Sequence, residues 1–447
     1  MKKWQFKLRK PSPAIHSARQ WRVVQSAKPQ RRMRDHDAPI MSTAHQLHAH
    51  EPSRDAMSPC SGSLNKTMCT QDVEQTVQNC DWISTLPDDI LIKILSLLTV
   101  SDAAMTDCLS TRWRHLWKNV DCLIFDLYSL RMPESEICYY HQKPCLRKAQ
   151  VTKFVRKTNG FLRNHYGNRI KEFTIRFPLT SVNASELDHW IRFAASASTE
   201  KLCLDFYDKN RSSCLDIFPD EPYNFILSPF SNGRGCQLGE LTLSNCSLGT
   251  TPENLSGFAC LHFLKLSRVS LADAAVSNII SSCCALRSLI IEFCDQLFHL
   301  TITCSQLLNL NVEFCNDLSS VCIHADNLDK FAYKGHNVNI EYKYAPFLDI
   351  IRVYFTEMDE CPLDFISALP KLPKLETLIL QCPAPVQGFS KLKEQPNELN
   401  MTWPEDLTFA RLHIIVIKGF SGEPELMELL YFLLRRAPAL KSLQVET

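Results

Sequence analysis

The sequence predicts a small unit of three helices followed by an open α/β solenoid, an α+β / α/β chain overall. Three observations carry that prediction. From Ile170 onward one pattern, aliphatic-x-x-aliphatic-x-aliphatic, returns eleven times. Between Asp81 and Val120 the apolar spacing is helical and dense. The first 79 residues are rich in Ser, Pro, Gln, His, Arg and Lys and poor in aliphatics.

The repeated pattern has its middle anchors at Phe173, Leu202, Leu241, Leu264, Leu289, Leu310, Phe331, Ile351, Leu378, Ile415 and Leu443. They step by 29, 39, 23, 25, 21, 21, 20, 27, 37 and 28 residues. Units of this size bury their apolar edges only by stacking on one another. The last two aliphatics of each copy flank a residue that strand alternation turns outward. Ile291-Glu292-Phe293-Cys294 and Val312-Glu313-Phe314-Cys315 are near copies, and Cys246 has the same offset from Leu243. A small buried side chain at that turn accounts for these three cysteines without catalysis. Two long steps hold loops, Lys209 to Gly235 and Pro383 to Pro404.

The stretch Asp81 to Val120 reads as three helices. Leu86-Pro87 opens the first, since proline fixes φ and lacks an N–H. Asp88 and Asp89 meet the positive end of the helix dipole. Ile90, Leu91, Ile94, Leu95 and Leu98 follow at the spacing of a broad apolar face. Ser101 is the expected N-cap of a second helix, and Ser110 or Thr111 of a third bearing Trp113, Leu116, Trp117 and Val120. So small a unit makes a marginal core by itself.

The wording LPDDIL, an aliphatic helix, then LSTRWRHLW resembles the F-box in the form common in plant proteins. The match runs through Leu86, Pro87, Asp88, Ile90, Leu91, Ile94, Leu95, Leu109, Ser110, Trp113, Arg114, Leu116 and Trp117. Thr99-Val100 and Met105 depart from it conservatively. The resemblance implies docking to the Skp-type adaptor of a cullin–RING ubiquitin ligase. The residues it marks for adaptor binding are Leu86, Pro87, Ile90, Leu91, Ile94, Leu95, Leu98, Leu109, Trp113 and Trp117. The repeats resemble the irregular leucine-rich repeats of plant F-box proteins. The end of the chain resembles their FBD region: Trp403-Pro404, a strand from Leu412 to Ile417, a helix opened by Pro424, and a last strand from Leu440 to Val445. A terminal capping repeat describes the same residues equally well.

Composition excludes several functions. Of 447 residues 45% are hydrophobic and 22% charged, the balance of a globular protein. There is no G-x-G-x-x-G, no G-x-x-x-x-G-K-[ST], and no apolar run long enough to span a membrane. No two of the 20 cysteines are three apart, so no C-x-x-C exists, and no secretory signal opens the chain. Formal net charge is +1. Met1 to Arg34 nevertheless holds eleven Lys/Arg and no Asp/Glu, leaving 38 basic against 48 acidic residues in the rest. Gln30-Arg31-Arg32-Met33-Arg34 reads as a nuclear-import patch, an organelle address or a solvated tail. Met41, Met57 and Met68 leave a later translation start open.

The expected organisation is a disordered basic arm over 1–79, the F-box over 80–121, and a linker and capping helix over 122–169. Repeats follow over 170–400 and the FBD-like region over 401–447. Val151 to Tyr166 reads as the capping helix, and Cys138-Tyr139-Tyr140-His141 as a hinge. The expected role is substrate recruitment for ubiquitination in the nucleus and/or cytoplasm. It needs no catalytic residue, metal or cofactor of its own, and no nucleic acid or membrane partner. A non-degradative scaffold and a thiol-dependent enzyme are the alternatives. The protein target is expected on the concave strand face. Its outward residues run Thr174, Cys203, Thr242, Lys265, Ile290, Asn311, Ala332, Arg352, Ile379, Val416 and Gln444, with Arg176, Asp205, Ser244, Ser267, Glu292, Glu313, Lys334 and Tyr354 in the next row. Glu292, Glu313, Lys334, Arg352 and Tyr354 are the target-binding candidates.

Overall fold

The computed structural model describes residues 3–7, 24–25, 82–132, 144–167, 169–207, 221–230, 237–249, 255–356, 365, 368–369, 372–381, 408–420 and 424–446. The chain divides into two compact units. One is Ala27–Thr85, of which a turn is described; there the Thr85 hydroxyl donates to the Trp82 carbonyl over 2.7 Å. The other, Met1–Ser26 with Leu86–Thr447, holds everything described below.

Three helices start this unit: α1 (Asp88–Leu95), α2 (Val100–Met105) and α3 (Trp113–Leu116). Pro87 is the N-cap of α1, with an extended ψ of 152°, and its carbonyl accepts the first helical bonds from Ile90 and Leu91. The Arg112 guanidinium then ties the helix start to α3. It donates to the Asp88 carboxylate over 2.7 Å and to the Leu86 carbonyl over 2.5 Å. The cap of α2 is Thr99, two residues before the expected Ser101: its hydroxyl accepts from the Asp102 N–H at 3.1 Å and donates to the Asp102 carboxylate. No side chain caps α3; Ser110 contributes its backbone carbonyl, which accepts from the Arg114 N–H.

All eleven copies of the repeated pattern are strands of one long sheet. Twelve parallel strands run in chain order: Cys122–Phe125, Glu172–Arg176, Lys201–Asp205, Glu240–Ser244, Phe263–Ser267, Ser288–Glu292, Asn309–Glu313, Lys330–Gly335, Ile350–Phe355, Thr377–Gln381, Ile414–Lys418 and Ser442–Glu446. Their anchors share one level: Leu264 faces Leu289, then Leu310, Phe331, Ile351, Leu378, Ile415 and Leu443. Along most strands buried and part-exposed residues alternate, as a one-sided sheet requires.

Three findings differ from the sequence reading. The first strand lies at Cys122–Phe125, inside the expected linker. Val120, Leu123 and Phe125 are a twelfth copy of the pattern, all buried, which the helical motif had claimed as its own last residue. The capping helix begins earlier and spans Pro144–Leu162, while Tyr139, Tyr140 and His141 lie outside the described residues. Within the expected disordered arm, Lys3–Lys7 is a strand antiparallel to Ser442–Glu446, and Val24–Gln25 pairs beyond it; the arginine cluster lies outside the described residues.

The back of the solenoid varies along its length. Helices stand behind the sheet at Ala184–Ser196, Asp273–Ser282 and Pro424–Arg436. The last of these sits between two strands, the strand–helix–strand order expected for the C-terminal region. In the middle the back is instead a second parallel sheet of His299–Thr303, Ser320–His324 and Asn339–Tyr344. Leu297, Leu300 and Ile302, then Leu318, Val321 and Ile323, repeat the front pattern half a unit later, and all are buried. Strands need fewer residues than a helix to cross the repeat, which explains the short steps there.

One core runs from the helices into the solenoid. Leu91, Leu95, Val100, Ala103, Trp113, Leu116 and Trp117 are buried in it. The Trp117 ring lies 5.1 Å from Phe161, Phe161 5.7 Å from Phe125, and Phe125 5.8 Å from Phe173. Such tilted and edge-on aromatic pairs add to simple burial. Nearby, His165 Nε2 donates to the Val120 carbonyl at 2.8 Å while Nδ1 accepts the Gly167 N–H at 3.0 Å. The joint between helices and sheet is thus packed and hydrogen-bonded on both sides.

Candidate functional site

Two surfaces hold the residues singled out in the sequence. The first is on the helices. On α1 the apolar residues form two adjacent stripes, each with its members a turn apart. Leu91 and Leu95 face inward and are fully buried; Ile90 and Ile94 face out at 38% and 41% exposure. Leu98 and Leu109 are exposed as well. Pro87 is exposed, Leu86 is half-buried against the core, and Trp113 and Trp117 lie beneath, less than a tenth exposed. The ten marked residues therefore divide into an outer layer of Pro87, Ile90, Ile94, Leu98 and Leu109, and an inner layer that supports it. Leu97, 85% exposed, and Met105, 54% exposed, belong with the outer layer and were not marked. Large apolar side chains left exposed in such number on one small unit are characteristic of an interaction site.

The second surface is the outward face of the long sheet. Glu292, Glu313, Lys334 and Tyr354 stand side by side on four adjacent strands, and Arg352 lies in the neighbouring row beside Ala332. The charges are engaged. Lys265 Nζ contacts Glu292 Oε2 at 2.8 Å, and Asn311 Nδ2 donates to Glu313 Oε1 at 2.9 Å. Lys334 Nζ stands 4.5 Å from the centre of the Phe314 ring and 4.9 Å from that of Tyr354. Three other outward positions differ from expectation, one of them Ser244, which is buried. Thr174 and Cys203, in register with each other and with Ile124, are buried, Thr174 with its hydroxyl donating to Glu172.

Beside this face runs a row the sequence reading missed. Asn245, Arg268, Phe293 and Phe314 each follow a strand end, and each has a positive φ, between 52° and 55°. The left-handed region costs a non-glycine residue about 1–2 kcal/mol. Here it has a structural return. Each of these N–H groups donates to the next strand, as Arg268 does to the Glu292 carbonyl and Phe293 to that of Glu313, both at 2.8 Å. The following residue, Cys246, Val269, Cys294 or Cys315, turns into the core. The side chains that remain outside stack. Phe293 and Phe314 lie 4.9 Å apart and nearly parallel, and the Arg268 guanidinium sits 4.0 Å from Phe293 and 4.2 Å from Tyr207.

The buried cysteines behave as packing groups, while Cys108, Cys260 and Cys284 are exposed; the hydrogen bond with Cys294 lowers the Cys315 thiol. The described cysteines are free thiols. Burial pushes the Cys246 and Cys283 thiols up to about 12, and burial with the neighbouring Asp121 carboxylate pushes Cys122 up to about 11. The Cys294 thiol is raised by its hydrogen bond to Cys315 and by burial, and it also donates to the Glu292 carbonyl at 3.5 Å. A raised thiol is the reverse of an activated nucleophile. Among the described residues no group of His, Cys, Asp and Glu is placed to hold a metal, and no helix is long and apolar enough to cross a membrane.

Comparison with known proteins matches the two parts of the chain to two domain families. The F-box domain family matches residues 83–125, and the family described as At1g61320/AtMIF1, LRR domain, matches residues 161–361. The putative F-box protein At1g49610 of Arabidopsis thaliana is 30% identical over 52% of this chain and 49% of its own length. The putative F-box/FBD/LRR-repeat protein At5g62970 is 24% identical over 82% of this chain and 78% of its own, and the F-box/FBD/LRR-repeat protein At3g52680 27% identical over 83% and 72%, both from the same plant. The chain spans about half the length of the first curated relatives it matches. The helical unit with its exposed apolar face and the parallel-stranded solenoid behind it are thus an F-box followed by a leucine-rich-repeat domain, in a chain whose relatives are F-box/LRR-repeat and F-box/FBD/LRR-repeat proteins.

Proposed function

We propose that the chain is the substrate-recognition subunit of a Skp–cullin–F-box ubiquitin ligase. The outer layer of the F-box holds the Skp-type adaptor, and the outward strand face holds a target protein. The observation that carries this reading is the exposed layer of Ile90, Ile94, Leu97, Leu98, Met105 and Leu109 above a core shared with the repeats. Apolar side chains left in water above a rigid floor gain free energy only when a partner covers them. The chain does no chemistry itself. It raises the effective concentration of target lysines near the ligase's catalytic partner. The proposed setting is the nucleus and/or cytoplasm, where thiols stay reduced.

The test is co-purification of the full chain from cells, with mass spectrometry of what accompanies it. An Ile94→Asp, Leu98→Asp variant is expected to lose the adaptor, since buried anchors commonly carry about 2 kcal/mol or more each. Both side chains are exposed, so the fold should persist. Adaptor recovery equal to wild type would overturn the reading. Target turnover separates it from a scaffold that binds the same partners without ubiquitin transfer.

A further inference from the structure

The row beside the strand face has an order of its own: Tyr207, Arg268, Phe293, Phe314, Lys334, Tyr354. Each cation lies between two rings, and the two inner rings stack on each other. Among the described residues no carboxylate forms an ion pair with Arg268 or Lys334. All six side chains are part-exposed. The strip is therefore two positive charges without an ion-pair partner among the described residues, separated by an apolar platform. Aromatic contact holds these long side chains in place, so little of their freedom remains to be lost on binding.

Its spacing restricts what fits. The distances from Arg268 to Phe293, Phe293 to Phe314 and Phe314 to Lys334 are 4.0, 4.9 and 4.5 Å, so the charges stand no more than about 13 Å apart. An extended chain advances about 3.3 Å per residue and presents every second side chain on one face, so positions i, i+2 and i+4 cover about 13 Å. Carboxylates at i and i+4 would meet Arg268 and Lys334, and an apolar side chain at i+2 would lie over the phenylalanine pair. Glu292 and Glu313, on the two middle strands, repel a third acid in the centre.

We propose that this strip docks an extended, unmodified acidic segment of a target protein, in which two carboxylates four residues apart bracket an apolar side chain. The inference rests on the target-holding role given to the sheet above. It goes further by naming the chemistry recognised and by moving the contact onto Arg268, Phe293 and Phe314.

The experiment titrates the purified full chain, with its adaptor where that co-purifies, into a fluorescein-labelled peptide with the core Asp-Val-Phe-Val-Asp. Saturable binding that weakens with added salt is expected. Arg268→Gln with Lys334→Gln should weaken it about tenfold or more, the loss of two charge-assisted contacts, while Arg268→Lys with Lys334→Arg should retain most of it. Moving the second acid by one residue, to Asp-Val-Phe-Asp-Val, should weaken binding, because that carboxylate then faces away. Wild-type affinity in the glutamine variant, equal binding of the shifted peptide, or binding only when phosphoserines replace the two aspartates would each overturn the proposal. Absent peptide binding with the adaptor still present sinks this inference alone. Loss of the adaptor with peptide binding intact sinks the ligase reading and leaves this one standing.

Discussion

On the helices, Ile90 and Ile94 stand exposed one layer above Leu91 and Leu95, with no charge among the four. On the sheet, Lys265, Glu292 and Asn311 stand one layer above Leu266, Ile291 and Val312, and they are paired with each other or with Glu313. Both surfaces rest on the same core, but one offers water-averse area and the other offers oriented charge and aromatic rings. Area gives affinity that salt barely touches. Charge gives selectivity and rate that salt removes. Under the proposed function, the pairing of one with the other lets the chain keep a constant partner on one side and discriminate on the other.

The comparison breaks most completely if the shared core is broken. Trp117→Ala should cost about 3–5 kcal/mol, as large buried aromatics do when truncated, because Trp117 packs against Phe161 where the helices meet the sheet. Thermal unfolding should fall in a single transition, and adaptor and target should be lost together. Two separate transitions would show that helices and repeats are not one packed body.

Salt should act on one surface and spare the other. Raising ionic strength from about 0.1 M to about 1 M shortens the screening length from about 10 Å to about 3 Å. Adaptor recovery should stay near its starting level while target capture falls several-fold. Parallel loss of both would mean that charge governs the helical contact too.

The smallest effect concerns the joint. Burial pushes the His165 imidazole below its ordinary value of about 6.5, against the opposing bond to the Val120 carbonyl. The unfolded chain therefore takes up the proton first. Stability is full above about pH 6.5 and declines as pH falls toward the folded value, by at most about 1.4 kcal/mol per pH unit. A His165→Gln variant should lose less stability than wild type between about pH 7.5 and 5.5, read by thermal unfolding. An equal loss in both would remove His165 as the source.

Much of this was legible in the chain. Eleven strands were readable because a two-aliphatic strand edge survives single-residue inspection. The twelfth, at Val120, Leu123 and Phe125, was hidden because Val120 also fits the preceding helical spacing. The back sheet was legible in principle, since Leu297, Leu300 and Ile302 repeat the front pattern, but a second copy within one unit looks like ordinary connector. On α1 the spacing showed two apolar stripes and could not say which one packs inward; the packing of α1 against the residues from Trp113 to Asn119 decides that. The aromatic strip was the least legible. Phe293 and Phe314 stood next to cysteines that drew the structural explanation, and the left-handed turns that bring them beside Arg268 and Lys334 occur at residues with no sequence mark for them.

The two charges of the strip, Arg268 and Lys334, lie just after the fifth strand of the long sheet, counted from Cys122–Phe125, and on the eighth. Neighbouring strands lie about 4.8 Å apart. Under the proposed docking, the repeats between F-box and strip act as a ruler with one graduation per strand. Gain or loss of a single repeat in that interval would carry a bound target about 5 Å along the array without touching either contact surface. Which lysines of a target come within reach would then be set by counting strands.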